Sequence, residues 1–251
     1  FVGSDAAATA TTAVKEGDHY IISGKKRYTT NAGVADRYMV YAKTSDDPQD
    51  KKRYKHLTAF LVTKGMPGFT LEKINDLIAF DTTPNGVMSL DNVEVPIENM
   101  VGKVGDGWMA MMSGLNYERT IGSAMLVGGM GECVKQPVWY MSRRVQFGQS
   151  TADFPTNQFK LSDIISNLKI ARLMLYYVAN LIDMGKEPAT ESAILKQFAA
   201  DAYVKSATDA IQLMGGDGLT KFYGVEWLLR DSKMHQITMG TNEIMKTLIY
   251  R

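Results

Sequence analysis

Apolar residues follow two different periods along this chain, and the change falls near residue 100. Before it, the runs are short and rich in Val, Ile, Thr and Tyr. Residues 19–31 (HYIISGKKRYTTN), 37–44 (RYMVYAKT), 57–63 (LTAFLVT) and 86–96 (GVMSLDNVEVP) are separated by Gly, Asp, Asn and Pro, which predicts strands. Hairpin-length gaps between them predict a small antiparallel barrel or sandwich. The polar stretch 45–56 (SDDPQDKKRYKH) predicts a solvated loop. After GKVGDG (102–107) the spacing becomes helical, over 108–135, 137–146, 157–184, 187–214 and from about 241 to the end. Gly185 and Pro188 bracket a helix-to-helix turn, and Gly215, Gly216 and Gly218 close the fourth segment. The expected fold class is α+β: a β-domain over 1–100, then a four-helix bundle over 101–251.

At 251 residues there is room for two domains, each with its own core. Twenty-eight basic and 27 acidic residues leave a net charge of +1, which gives no field to recruit nucleic acid or an anionic membrane. Any anionic ligand must be held locally. The single cysteine, Cys133, excludes an intrachain disulfide and suits a reducing compartment, the cytosol or an organelle matrix. His19, His56 and His235 are not spaced as ligands, so no metal site is expected, and no apolar run reaches the roughly 18 residues of a membrane span. An opening at FVGSD, without an initiator methionine, suggests a fragment of a longer polypeptide.

Two glycine clusters, GGMGEC (128–133) and GGDGL (215–219), lack the strand-then-helix setting of a dinucleotide fingerprint. The first is expected to allow close helix packing. The second is either a helix C-cap or a set of bare amides facing a phosphate.

Taken in order, GSD (3–5), ISGKKRYTTNAGVADRYMVYAKT (22–44), DNVEVPIENMVGKVGDGW (91–108), RRVQFGQ (143–149), QFKLSDI (158–164), QLMGGDGL (212–219), LLRD (228–231) and GTNEIMKTLIYR (240–251) resemble the acyl-CoA dehydrogenase family. The resemblance runs over essentially the whole chain and implies the family's middle β-domain and C-terminal bundle, without its N-terminal helical domain. It further implies FAD between the two domains, with the adenine half reaching a neighbouring subunit of a homotetramer. By the same likeness Thr30 matches a hydroxyl on the flavin ring and Tyr28 an aromatic cover. Arg144, Gln146 and Phe147, with Gln212, Gly215 and Gly216, match residues serving a neighbour's cofactor, and Thr241 and Glu243 match the turn over its pyrophosphate and adenosine. Ser4, Asn116, Arg119, Met239 and Gly240 match the acyl-CoA side. Two departures stand out: the Gly and Arg usual after the third strand are replaced within IAFDTT (78–83), and Pro155 replaces a residue after the cofactor-contacting loop.

The family's reaction takes an α-proton with a carboxylate while the β-hydrogen leaves as hydride to flavin. The usual glutamate before the last Gly-Thr pair is here Met239, which cannot accept a proton. An isovaleryl-type subgroup carries the glutamate on the first bundle helix, and LNYERTIGSA (115–124) supplies Glu118 followed by Arg119. On a helix Glu118 shares its face with Gly114, Gly122, Met111 and Met125, an apolar setting that would raise its pKa. A purely structural carboxylate is the bland alternative. The leading expectation is an FAD-dependent acyl-CoA dehydrogenase passing electrons to an electron-transfer flavoprotein. A non-oxidative or reductase relative and a non-catalytic subunit of a mixed oligomer are the alternatives.

Overall fold

The computed structural model describes residues 2–251 and forms two compact units, Phe1–Gly114 and Leu115–Arg251, the division falling inside a long helix. The first unit is built on a seven-stranded sheet. Its strands are β1 (Thr12–Glu16), β2 (His19–Thr30), β3 (Arg37–Lys43), β4 (Leu57–Thr63), β5 (Phe69–Ile74), β6 (Asn85–Pro96) and β7 (Met100–Val101), in the order β5-β6-β2-β1-β3-β4-β7. Alternation along β2 and β3 sends Tyr20, Ile22, Tyr38, Val40 and Ala42 inward. The sheet curls until Phe60 of β4 meets Tyr20 of β2, ring centroids 4.9 Å apart, and this closes the core.

Three expectations are corrected here. The sheet is mixed rather than antiparallel throughout, because β1 touches β3 through a parallel bridge, Thr12 to Lys43. Strands β1 and β5 escaped notice because TAVKE and FTLEKI are short, largely exposed and bring few apolar residues to the core. The stretch 45–56 contains a short helix, α1 (Pro48–Lys52), started by the Asp47 carboxylate accepting from the Gln49 amide at 2.8 Å, with Pro48 in the first turn.

The second unit packs α2 (Gly107–Met141), α3 (Pro155–Asp183) and α4 (Ala189–Met214) with two shorter helices, α5 (Val225–His235) and α6 (Asn242–Tyr250). Helix α4 is central: 13 of its residues are buried, and α3, α5 and α6 all lie against it. The expected break near residue 136 is absent, since α2 runs through Pro137. An interior proline costs about 3 kcal/mol. Continuing the helix buries Tyr140 and Met141 in the core, which offsets that cost. The segment expected to be helical to 146 ends at Met141 and becomes a small hairpin, β8 (Val145–Gln146) and β9 (Gln149–Ser150). The bundle's fourth wall is therefore α5, which begins after Gly224 and contributes Val225 and Leu228 to the core. Among the described residues no helix is long and apolar enough to cross a membrane.

Candidate functional site

The link between α5 and α6 is the most constrained turn of the second unit. Amides of Ile237 and Thr238 both donate to the Met234 carbonyl at 2.9 Å, closing α5. Met239 and Gly240 then take left-handed φ of 60° and 88°, which reverses the chain so that the Thr241 hydroxyl can cap α6 through the Ile244 amide (3.3 Å). A non-glycine residue in that region costs about 1–2 kcal/mol and persists only where its surroundings fix it. Two buried cations do so. The Arg119 guanidinium on α2, 5% exposed, donates through Nε to the Met239 carbonyl (3.3 Å) and through Nη1 to Asn116 Oδ1 (3.2 Å). The Lys196 ammonium on α4, fully buried, donates to the Gly240 carbonyl (2.7 Å) and to Asn242 Oδ1 (3.0 Å). Asp201 Oδ1 accepts from the amide groups of Asn242 and Gln236, each at 2.7 Å, and Oδ2 from Gln197 at 2.7 Å. Burial holds the Lys196 ammonium down to about 8, with Arg119 acting in the same direction and Asp201 and Glu243 opposing.

Glu118 and Met239 adjoin the same turn of α2. A Cβ built on Gly122 would lie 2.1 Å from the Met239 sulfur and 2.7 Å from its methyl carbon, so the thioether rests on the bare backbone one helical turn beyond Glu118. Gly122 is glycine because that space is taken. Glu118 is exposed on the chain surface, yet desolvation by the protein around its carboxyl raises its pKa, the Arg119 guanidinium pulling the other way. Arg119 is held below its usual range by burial, against the pull of Glu118. The arrangement is a carboxylate of elevated proton affinity beside an apolar, non-titrating wall.

In the first unit, Tyr28 sits in a β-bulge. Pairing slips between Arg27↔Val87 and Thr29↔Gly86, and Tyr28 itself has φ 59°. The bulge leaves its ring 60% exposed, with the Arg27 guanidinium 4.7 Å from the ring centroid, and Thr30 follows it on the exposed end of β2. Ser4 is exposed in a bend before β1. In IAFDTT, Phe80 adopts φ 61°.

The residues of the second unit expected to face a cofactor lie on two surface features. Arg144, Gln146 and Phe147 belong to the β8–β9 hairpin, whose two-residue turn, Phe147 and Gly148, has φ 52° and 81°, a type I′ geometry. Phe147 is 96% exposed, its ring edge-on to Phe154. Gly215 ends α4 with φ 60°, its amide donating to the Gln212 carbonyl, so the C-cap reading of this cluster holds. Added Cβ atoms on Gly215 and Gly216 would meet open space. Tyr140 joins the two features: its hydroxyl donates to Asp217 Oδ2 at 2.6 Å. Thr241 and Glu243 share the first turn of α6, where the carboxyl of Glu243 is lowered by its own backbone amide and by the Thr241 hydroxyl. Pro155 sits in the first turn of α3, a position that proline favours. The first glycine cluster lies within α2, and only Gly129 is tightly packed there, its missing Cβ leaving room for the Tyr203 hydroxyl; Gly128 and Gly131 face open space.

Sequence reasoning missed Lys196, Asp201 and Asn242. The available signal was Lys196 inside SAILKQFAAD, a lone cation on the otherwise small and apolar stripe of α4.

Comparison with known proteins meets this geometry. Residues 105–251 match the family model "Acyl-CoA dehydrogenase, C-terminal domain" and residues 1–93 "Acyl-CoA dehydrogenase, middle domain". An acyl-CoA dehydrogenase of Bacillus subtilis (strain 168) is 40% identical over 248 residues, 98% of this chain and 64% of the relative. Among solved structures, butyryl-CoA dehydrogenase from Megasphaera elsdenii superposes with a TM-score of 0.95 at 34% identity, over 99% of this chain and 64% of the other. A structure described under the electron transferring flavoprotein of Acidaminococcus fermentans superposes at 0.96 with 36% identity, over 100% and 65%. The chain thus spans a little under two thirds of the length of these relatives. With its two-unit fold and with family models matched on both sides of residue 100, the chain belongs to the acyl-CoA dehydrogenase family.

Proposed function

We propose that this chain carries the flavin and acyl sites of an FAD-dependent acyl-CoA dehydrogenase whose base is Glu118. The observation that carries the reading is Met239 lying on Gly122, one turn from Glu118: the position that lost its carboxylate and the position that holds one adjoin the same stretch of helix. Glu118 takes the substrate α-proton. Its raised pKa makes it a better base near neutral pH than an ordinary glutamate. Arg119 keeps its proton and holds the Met239 turn. Met239 walls the acyl group, with Asn116 and Gly240 beside it and Ser4 on the CoA arm.

The residues fit FAD. Gly215 and Gly216 offer a backbone that a phosphate can approach, and Tyr28 and Phe147 present exposed aromatic faces of the kind a flavin or adenine covers. When bound, FAD supplies the hydride acceptor. Tyr28 and Thr30 would hold its ring. Thr241 and Glu243 would hold the pyrophosphate and adenosine, and Arg144, Gln146, Phe147, Gln212, Gly215 and Gly216 would serve a neighbouring subunit's cofactor in a homotetramer. An electron-transfer flavoprotein is the acceptor and the cytoplasm the compartment in this reading. Anaerobic mixing of the FAD-loaded protein with a panel of acyl-CoAs tests it: bleaching of the flavin by at least one of them is expected, and no bleaching by any would overturn it. Recovery of FMN alone on acid release would overturn the cofactor assignment.

A further inference from the structure

We infer that Lys196 is a positioning residue for acyl-chain selection: its ammonium, together with the Arg119 guanidinium, clamps the consecutive carbonyls of Gly240 and Met239 and so fixes the Met239 side chain over Gly122 as the wall beside Glu118. The inference rests on the dehydrogenase reading and adds to it the residue that sets the chamber's depth.

The argument starts from cost. A fully buried ammonium is expensive unless paired, and an apolar residue of similar length would fill the same space. The two hydrogen bonds of the Lys196 ammonium go to the turn itself and not to a carboxylate. Asp201, five residues further along α4, holds the other half of the Asn242 amide and thereby orients the oxygen that Lys196 uses. The turn in question contains two consecutive left-handed residues, one of them a methionine, a conformation that reverts unless held. With both carbonyls anchored from different helices, Arg119 on α2 and Lys196 on α4, the backbone at Met239 is fixed in the direction that lays its side chain onto Gly122. Releasing the Gly240 carbonyl would let residues 239 and 240 relax, withdrawing the thioether and opening space one turn from Glu118.

The charged groups facing Lys196 come from every packed element. Arg119 on α2 and Asp201 on its own helix are joined by His235 at the end of α5 and Glu243 at the start of α6. Burial, with the Arg119 charge acting the same way and the two carboxylates opposing, brings the Lys196 ammonium down to about 8, while His235, held neutral by its own burial, adds no charge; the clamp weakens as pH rises through about 8.

Three measurements test the inference. In the wild-type protein, the hydrogen-bonded amides of Ile237, Thr238 and Asn242 in a peptide spanning 236–242 should exchange as slowly as those of α5 and α6; open-loop exchange of these amides would overturn the clamp without any variant. In Lys196→Met, exchange of that peptide should accelerate at least 10-fold while α3 stays unchanged. The ratio of kcat/KM for a longer over a shorter acyl-CoA should rise by about 10-fold, the scale of a methylene-sized change in an apolar pocket, with KM moving more than kcat. Should Lys196→Met not fold, Lys196→Gln, which keeps a donor and loses the charge, should shift both readouts in the same direction by a smaller factor. Unchanged exchange, or an acyl profile parallel to that of the wild type, refutes the role. If the wild type bleaches with no acyl-CoA, the dehydrogenase reading fails, and with it the chain-selection part, while the exchange data still decide whether Lys196 holds the turn.

Discussion

Gly122→Ala gives the sharpest test of how the turn and the helix fit together. The added methyl would sit 2.1 Å from the Met239 sulfur and 2.7 Å from its methyl carbon, where carbon contacts normally lie at about 3.5–4.0 Å. No rotation of alanine relieves this, so Met239 must leave. Its backbone cannot follow freely, because Arg119 holds its carbonyl and Lys196 the next one. Overpacking costs about 1–3 kcal/mol, but the colliding atoms are the far end of a flexible side chain and alanine gains about 1 kcal/mol over glycine inside a helix. A net loss of about 1 kcal/mol is therefore expected, which at about 2–4 °C per kcal/mol for a chain of this size lowers Tm by roughly 2–4 °C. Met239→Ala removes the colliding atoms, so the double variant Gly122→Ala/Met239→Ala should be less destabilised than the sum of the singles by about 1–2 kcal/mol. Calorimetry on the four proteins supplies the cycle. Strict additivity within about 0.3 kcal/mol would show that Met239 does not lie on Gly122, and the acyl-wall argument would go with it.

Three further outcomes follow from individual groups. Glu118→Gln should keep fold and flavin but slow anaerobic flavin reduction by about 10²-fold or more; because burial raises the Glu118 pKa, the wild-type rate should fall as pH drops through a value above 4.5, and a limb at or below 4.5 in stopped-flow profiles would contradict this. Lys196 is held near 8 when folded against 10.5 for a free lysine, so between those values the unfolded chain binds the extra proton and stability rises with pH. Lys196→Met should flatten that rise, worth about 3 kcal/mol in total, in denaturant titrations at pH 7.5 and 10. Phe147→Asn places a residue tolerant of the left-handed region at the hairpin tip, and should raise Tm slightly while weakening FAD retention, measured by gel filtration followed by absorbance. Retained cofactor with an unchanged Tm would remove Phe147 from the site.

Much of this protein is legible in its sequence because the information is local. The period change near residue 100, the inward alternation of Tyr20 and Ile22, the Gly215 cap and the α3–α4 turn depend only on neighbours a few residues apart. Glu118 stood out for the same reason, an acid set between glycines at helical spacing, and Met239 by its place before a Gly-Thr pair. What the tertiary structure decided is whatever depends on distant partners. Pro137 reads as a break until burial of Tyr140 and Met141 is seen to outweigh it, and β5 reads as loop because its partner β6, not its own side chains, makes it a strand. Lys196 shows in the sequence only as a lone cation on an apolar stripe; its purpose does not, because the carbonyl it holds lies 44 residues on. Nor does the sequence say why residue 122 is glycine; that follows from a sulfur atom more than a hundred residues away, resting where a side chain would otherwise be.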